Sequence, residues 1–174
     1  MDIHPVTVDD LPAVLDVVGR AFADPAHGGE PVEVGLTERL FADAGFLPAL
    51  ALAAWVDRSM VGMVIGTRGH VGDLPAVGVG PLAVSPDRQG HGIGTALMHA
   101  ELDAARAAGE RVVALLGEPD FYGRFGFGPA AALGIDSPDP AWGRHFQALL
   151  LDRSPCSRRR IPLRGTVRRS LSYL

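Results

Sequence analysis

The chain has 174 residues, enough to bury one core without a second domain. Hydrophobic residues make up 47% and charged residues 21%, which fits a globular enzyme and excludes a disordered or collagen-like chain. The net charge of −4 conceals an asymmetry: all 20 acids fall within residues 1–152, giving that body −11, while the last 22 residues carry +7.

The arginines at 158–160 and 168–169 raise the question of a nucleic-acid-binding arm. The segment has no interleaved aromatics to stack on bases, so residues 153–174 are read instead as a basic segment forming the last strand. No apolar run approaches the roughly 18–20 residues needed to cross a bilayer. Met1-Asp2-Ile3-His4-Pro5 lacks the basic start and apolar stretch of a secretory signal, so a cytoplasmic, bacterial-type protein without membrane association is expected. The single cysteine, Cys156, reads as a free thiol, and the six scattered histidines show no metal-ligand spacing, so no metal is expected.

Taken in order, residues 3–8 suit a first strand, after which Asp9 or Asp10 can cap a helix with Pro12 in its first turn. Leu11, Val14, Leu15, Val18 and Phe22 recur at helical spacing as far as Asp24-Pro25. Residues 26–31 read as a loop and 32–44 as a second helix with Leu36, Leu40 and Phe41 on one side. Residues 49–56 and 60–67, joined by Asp57-Arg58-Ser59, predict a hairpin. Residues 77–84 predict a further strand that Gly78, Gly80 and Pro81 bulge or splay.

A helix over 93–108 follows, with Leu97, Ala100, Leu102 and Ala104 as packing surface and Gly109 as its cap. Residues 112–116 are continuously apolar, as a strand covered on both faces should be. A short helix then carries Phe121, Tyr122 and Phe125. Residues 145–152 and 165–174 are the remaining strand candidates, and Trp142 either lines a pocket wall or packs in the core. The expected fold is α/β: a single domain over 1–174, with a mixed, mostly antiparallel twisted sheet flanked by helices around a central splayed βαβ unit.

Between that strand and the long helix lies Arg88-Gln89-Gly90-His91-Gly92-Ile93-Gly94-Thr95. Glycines without a Cβ let several N–H groups converge on one anion, and the helix start adds its positive dipole end. A pyrophosphate is the natural guest, with Thr95 adding a hydroxyl and Arg88 a charge at the rim. A Walker A loop is excluded because the chain contains no lysine. A dinucleotide fingerprint fits poorly: the spacing is Gly90-x-Gly92-x-Gly94, and Glu118 lies too far along to serve the ribose.

The flanks resemble the GCN5-related N-acetyltransferase (GNAT) family. Gln89-Gly90-His91-Gly92-Ile93-Gly94 meets its signature, and residues 80–88 look like its fourth strand and the approach to the loop. Residues 120–127 look like its tyrosine-containing helix ending in Gly-Phe. With Gly117-Glu118-Pro119 between strand and helix, the run over 78–130 is most similar to YhbS-like members, while the match after Ala130 is loose.

The resemblance implies acetyl-CoA as co-substrate and acetyl transfer to a primary amine, small molecule or peptide, by direct attack on the thioester. It implies that backbone N–H groups of Leu82, Ala83 and Val84 bind the thioester carbonyl and pantetheine, and that residues 88–95 bind the pyrophosphate. Tyr122 takes the place of the general acid that protonates the leaving thiolate. Glu118 is the candidate base, with Glu30 and Glu33 as rivals. The acidic body suits a cationic acceptor, and either a monomer or a homodimer fits. The alternative is a non-catalytic acyl-CoA-binding or sensing module of the same fold.

Overall fold

The computed structural model describes residues 1–26 and 28–151, together with the backbone of 165–169. Cys156, Arg158, Arg159 and Arg160 lie outside the described residues, and so do the side chains of Arg168 and Arg169. In chain order the elements are β1 (Asp2–Pro5), α1 (Leu11–Ala21), α2 (Val32–Ala42), β2 (Phe46–Val56), β3 (Ser59–Val71) and β4 (Leu74–Val84). There follow α3 (Ile93–Ala107), β5 (Val112–Leu116), α4 (Pro119–Tyr122), β6 (Gly128–Pro129), β7 (Ile135–Asp136), β8 (Phe146–Leu150) and β9 (Gly165–Arg169). The class is α/β with a mixed, mostly antiparallel sheet flanked by helices. The chain divides into two compact units, one of residues 1–66 and 80–104 and the other of 67–79 and 105–174, so β3 and β4 each pass through both.

In the first unit the strand order is β1-β2-β3-β4, with Asp2 to Pro5 antiparallel to Trp55 to Leu52. The first strand ends at Pro5, earlier than its apolar pattern suggests. Thr7 donates through its N–H and its hydroxyl to the Asp10 carboxylate at 2.8 and 2.9 Å, and this capping box winds Val8 to Asp10 into a 3₁₀ turn. The Asp10 carboxylate therefore closes that turn back onto Thr7 rather than accepting from an N–H of α1, which begins one residue later without a side-chain cap.

Val14, Val17 and Val18 of α1 and Val34, Leu36 and Leu40 of α2 pack with Ala51, Ala53, Met63, Ile65 and Ala83 into the core of this unit. Leu11, Leu15 and Phe41 are only partly buried and Phe22 is exposed, so the inward stripe of α1 is narrower than its pattern suggests. The β2–β3 hairpin turns at Asp57 and Arg58, whose φ values of 50° and 67° match the two central residues of a type I′ turn. Along α3 the buried positions are Ile93, Leu97, Met98, Glu101, Leu102 and Ala105, whereas Ala100 and Ala104 are half-exposed. A carboxylate at position 101 thus occupies the inward stripe that the alanines were expected to share.

In the second unit the order is β3-β4-β5-β8-β6. Val77, Gly78 and Val79 run parallel to Val113, Ala114 and Leu115, which is the expected parallel pairing. β5 is buried over Val112–Leu115, as its unbroken apolar sequence requires. β8 pairs antiparallel to β5 from Phe146↔Leu116 to Leu150↔Val112, and β6 pairs with β8. The final strand exists as β9, antiparallel to β3 at Gly69–Val71 and parallel to β7.

Gly109 caps the long helix, with Glu110 N–H donating to Ala105 O at 2.9 Å, and places Glu110 where its carboxylate accepts from Arg68 Nη1 at 2.6 Å. The core of this unit gathers Val71, Ala76, Val112, Ala114, Ala130, Ile135, Phe146 and Ala148. Trp142 packs against it with its ring 5.9 Å from that of Phe146, which resolves the choice between wall and core in favour of the core.

Candidate active site

In the first unit, β4 continues through Gly80 and Pro81 to Val84, so these residues do not terminate the strand; the peptide bond between them is cis. Ala83 is buried in the core, whereas Leu82 and Val84 are half-buried. The strand is closed off at Ser85, whose N–H donates to Val61 O at 2.9 Å, and Pro86–Arg88 make one 3₁₀ turn.

The turn that follows is shaped by backbone geometry. Gly90 and Gly92 have φ values of 76° and 80°, a region that strains any residue with a Cβ, and the side-chain direction at each is open space. The Gln89 carboxamide donates back to Val84 O at 3.1 Å, and His91 Nδ1 lies 2.7 Å from Gln89 O, so both side chains brace the loop on its own backbone. The first helical bond is Ala96 N–H to Gly92 O at 2.9 Å. The N–H groups of Ile93, Gly94 and Thr95 come before it and have no carbonyl four residues back within the helix. Together with the dipole of a 15-residue helix, they make an anion-binding surface of converging donors.

Two arginines meet Asp87 at the approach to this loop. Arg88 Nε lies 3.3 Å from Asp87 Oδ2, and Arg20 of α1 lies 4.0 Å from Asp87 Oδ1 while pairing with Asp16 at 2.8 Å. Arg20 was not anticipated from sequence, because only the fold brings α1 to the approach to this loop.

The candidate acid and base belong to the second unit. β5 runs out at Leu116, Glu118 caps α4, and its carbonyl accepts from Phe121 N–H at 3.0 Å and Tyr122 N–H at 3.1 Å. Tyr122 therefore sits one turn from Glu118. Its ring meets Phe121 edge-on at 4.9 Å and Phe127 at 6.1 Å. Burial raises the Tyr122 phenol to about 12, which keeps it protonated throughout the neutral range.

Glu118 is exposed, with Oε1 3.7 Å from Nδ1 of His145, the residue that leads into β8. Gln147, buried at 1% exposure, donates from Nε2 to the Gly117 carbonyl at 2.9 Å. A lone glutamine in the otherwise apolar run Phe146–Leu150 was the one available sequence signal for it. The rivals Glu30 and Glu33 belong to the first unit, Glu33 in the first turn of α2. Among the described residues no cluster of three or more His, Cys, Asp or Glu could hold a metal ion, and no helix is long and apolar enough to cross a membrane.

A glycine turn opening on a helix start is a geometry that receives a phosphate-type anion, and within the second unit a half-buried phenol stands one turn from a carboxylate. Residues 2–130 match the acetyltransferase (GNAT) domain. The chain is 32% identical over 148 residues to the uncharacterized N-acetyltransferase YjhQ of Escherichia coli strain K12, covering 82% of this chain and 78% of that one. The crystal structure of E. coli YhbS, a GNAT family N-acetyltransferase in complex with CoA, superposes with a TM-score of 0.82 at 26% identity, covering 95% of this chain and 87% of that one. A GNAT family acetyltransferase from Brucella melitensis in complex with acetyl-CoA gives 0.76 at 26% identity, covering 99% and 97%. The chain therefore belongs to the GNAT acetyltransferase family, and it is an acyltransferase.

Proposed function

We propose that this acyltransferase takes acetyl-CoA as co-substrate and moves the acetyl group to a primary amine by direct attack on the thioester. The observation that carries the reading is the turn at 88–95, with two positive-φ glycines leading into the free N–H groups of α3. It suits a pyrophosphate, and the structures of E. coli YhbS with CoA and the Brucella enzyme with acetyl-CoA support CoA as the molecule that carries it.

In this mechanism Leu82, Ala83 and Val84 offer backbone N–H groups to the thioester carbonyl and the pantetheine, while residues 88–95 hold the pyrophosphate. The neutral amine attacks the carbonyl carbon and the carbonyl oxygen becomes an oxyanion. One well-aimed N–H is worth about 3 kcal/mol to that oxyanion. Collapse breaks the C–S bond, and Tyr122 protonates the departing thiolate. Glu118 accepts the proton lost by the amine, directly or through water. The acidic balance of residues 1–152 favours a cationic acceptor.

The reading is tested with Gly92→Val. A β-branched side chain at φ 80° distorts the turn without entering the core, so calorimetric acetyl-CoA binding is expected to be lost while circular dichroism and the melting temperature persist. Wild-type affinity in the folded variant would overturn the assignment. Turnover is read by thiol release across a panel of amines. CoA binding with no thiol released for any acceptor would favour the non-catalytic module instead.

A further inference from the structure

Gly117 is the residue at which β5 stops being a strand, and three constraints meet there. Its N–H donates to His145 O at 3.0 Å, which extends the β5–β8 ladder by one step. Its carbonyl accepts from the buried Gln147 carboxamide at 2.9 Å. Its Cα faces the Tyr122 ring so closely that a methyl group there would stand 2.8 Å from Cδ2 and closer still to Cε2. The ring cannot retreat freely, since Phe121 and Phe127 meet it edge-on.

The rest of β8 pairs through its backbone and buries apolar side chains, so a polar carboxamide at 1% exposure is out of keeping with its neighbours unless its hydrogen bond has a use. The bond it makes fixes the orientation of the Gly117 peptide, and that residue lies directly against the Tyr122 ring.

We propose that Gln147 and Gly117 form a positioning pair for Tyr122: the carboxamide pins the Gly117 peptide, and the bare Cα of Gly117 sets where the phenol stands. The inference rests on the reading of Tyr122 as the proton donor. Neither residue touches substrate. Gln147 acts through Gly117, and Gly117 acts through the ring, so both alter the chemical step rather than the binding of acetyl-CoA. A misplacement of about 1 Å in a catalytic group is enough to cost about 100-fold in rate.

The test uses the full chain with Gln147→Leu, Gln147→Glu and Gly117→Ala, and Tyr122→Phe as reference. Gln147→Leu and Gly117→Ala are expected to lower kcat at least about 10-fold with KM for acetyl-CoA changed less than about 2-fold. Gln147→Glu is expected to approach wild-type kcat at low pH and to lose ground as pH rises, because only a protonated carboxyl can donate to the Gly117 carbonyl.

A second readout does not need activity. The chain has two tyrosines, Tyr122 and Tyr173, so subtracting the Tyr122→Phe ultraviolet titration isolates Tyr122. In Gln147→Leu and Gly117→Ala its ionisation is expected to move down from about 12 towards the ordinary value near ~10 as the ring loosens. If Tyr122→Phe keeps full kcat, the proton-donor reading fails and the titration alone decides the positioning pair. If Tyr122→Phe is impaired while folded Gln147→Leu and Gly117→Ala keep wild-type kcat and titration, the pairing is overturned.

Discussion

Glu101 offers the sharpest test of the packing. It lies on α3 at 0% exposure, and neither carboxylate oxygen has a hydrogen-bond partner among the described residues. Burial raises its carboxyl from 4.5 to about 8, so the folded protein holds this proton at neutral pH while the unfolded chain has released it. A group whose folded value is raised contributes its full stability below the unfolded value and loses it as pH climbs to the folded one. Between pH 4.5 and 8 the stability of the protein should therefore fall by up to about 1.4 kcal/mol per pH unit, and by pH 7 the accumulated loss is about 3 kcal/mol.

Glu101→Gln keeps the shape and removes the titration. The stability of the variant relative to wild type is expected to be nearly constant below pH 4.5 and to improve by about 3 kcal/mol on going to pH 7, a gain of roughly 6–12 °C in melting temperature for a chain of this size. Urea unfolding of both proteins at a series of pH values measures the difference directly. Parallel stability curves, offset by a constant amount from pH 4 to 8, would refute the buried, proton-holding carboxyl.

Tyr122→Phe should lower kcat on the order of 100-fold while leaving the affinity for acetyl-CoA unchanged, and in wild type no loss of rate from ionisation of this phenol should appear below about pH 11, as steady-state kinetics across pH would report. Arg68 and Glu110 form a bidentate pair in which Glu110 is only 9% exposed, and hydrogen bonding to Glu110 raises the guanidinium further above its ordinary value. Glu110→Gln leaves that partly buried cation without its counter-charge and should cost about 2 kcal/mol in chemical denaturation, whereas a loss below about 0.5 would show the pair to be passive. Asp10→Asn breaks the capping box with Thr7 and should lower stability by about 1 kcal/mol at pH 7. Because the Thr7 N–H, and then its hydroxyl, hold the Asp10 carboxyl below its ordinary value, the wild-type advantage should shrink as pH falls below 4.

Most of the elements were legible because their signals are local. The period-3.6 stripes of α1 to α3, the unbroken apolar run of β5, the Asp57-Arg58 hairpin and the Gly109 cap each depend on residues within a few positions of one another. The glycine turn was legible for the same reason, since positive φ at Gly90 and Gly92 is a demand that the backbone makes on its own residue. The stretch 128–145 was not, because β6 and β7 are two residues each, too short for any periodicity, and exist only where β8 and β9 give them partners.

Sequence alone also could not reveal that Glu101 turns inward, that Arg20 comes to Asp87, or that Gln147 reaches back 30 residues to Gly117. Those facts are set by which faces the helices and strands present to one another, and a polar side chain reads the same in sequence whether it is solvated or buried. Local chemistry in the chain fixed the kind of turn and the residue types offered to the reaction. Long-range packing decided which of those side chains are dry, which are braced, and so which proton each holds at neutral pH.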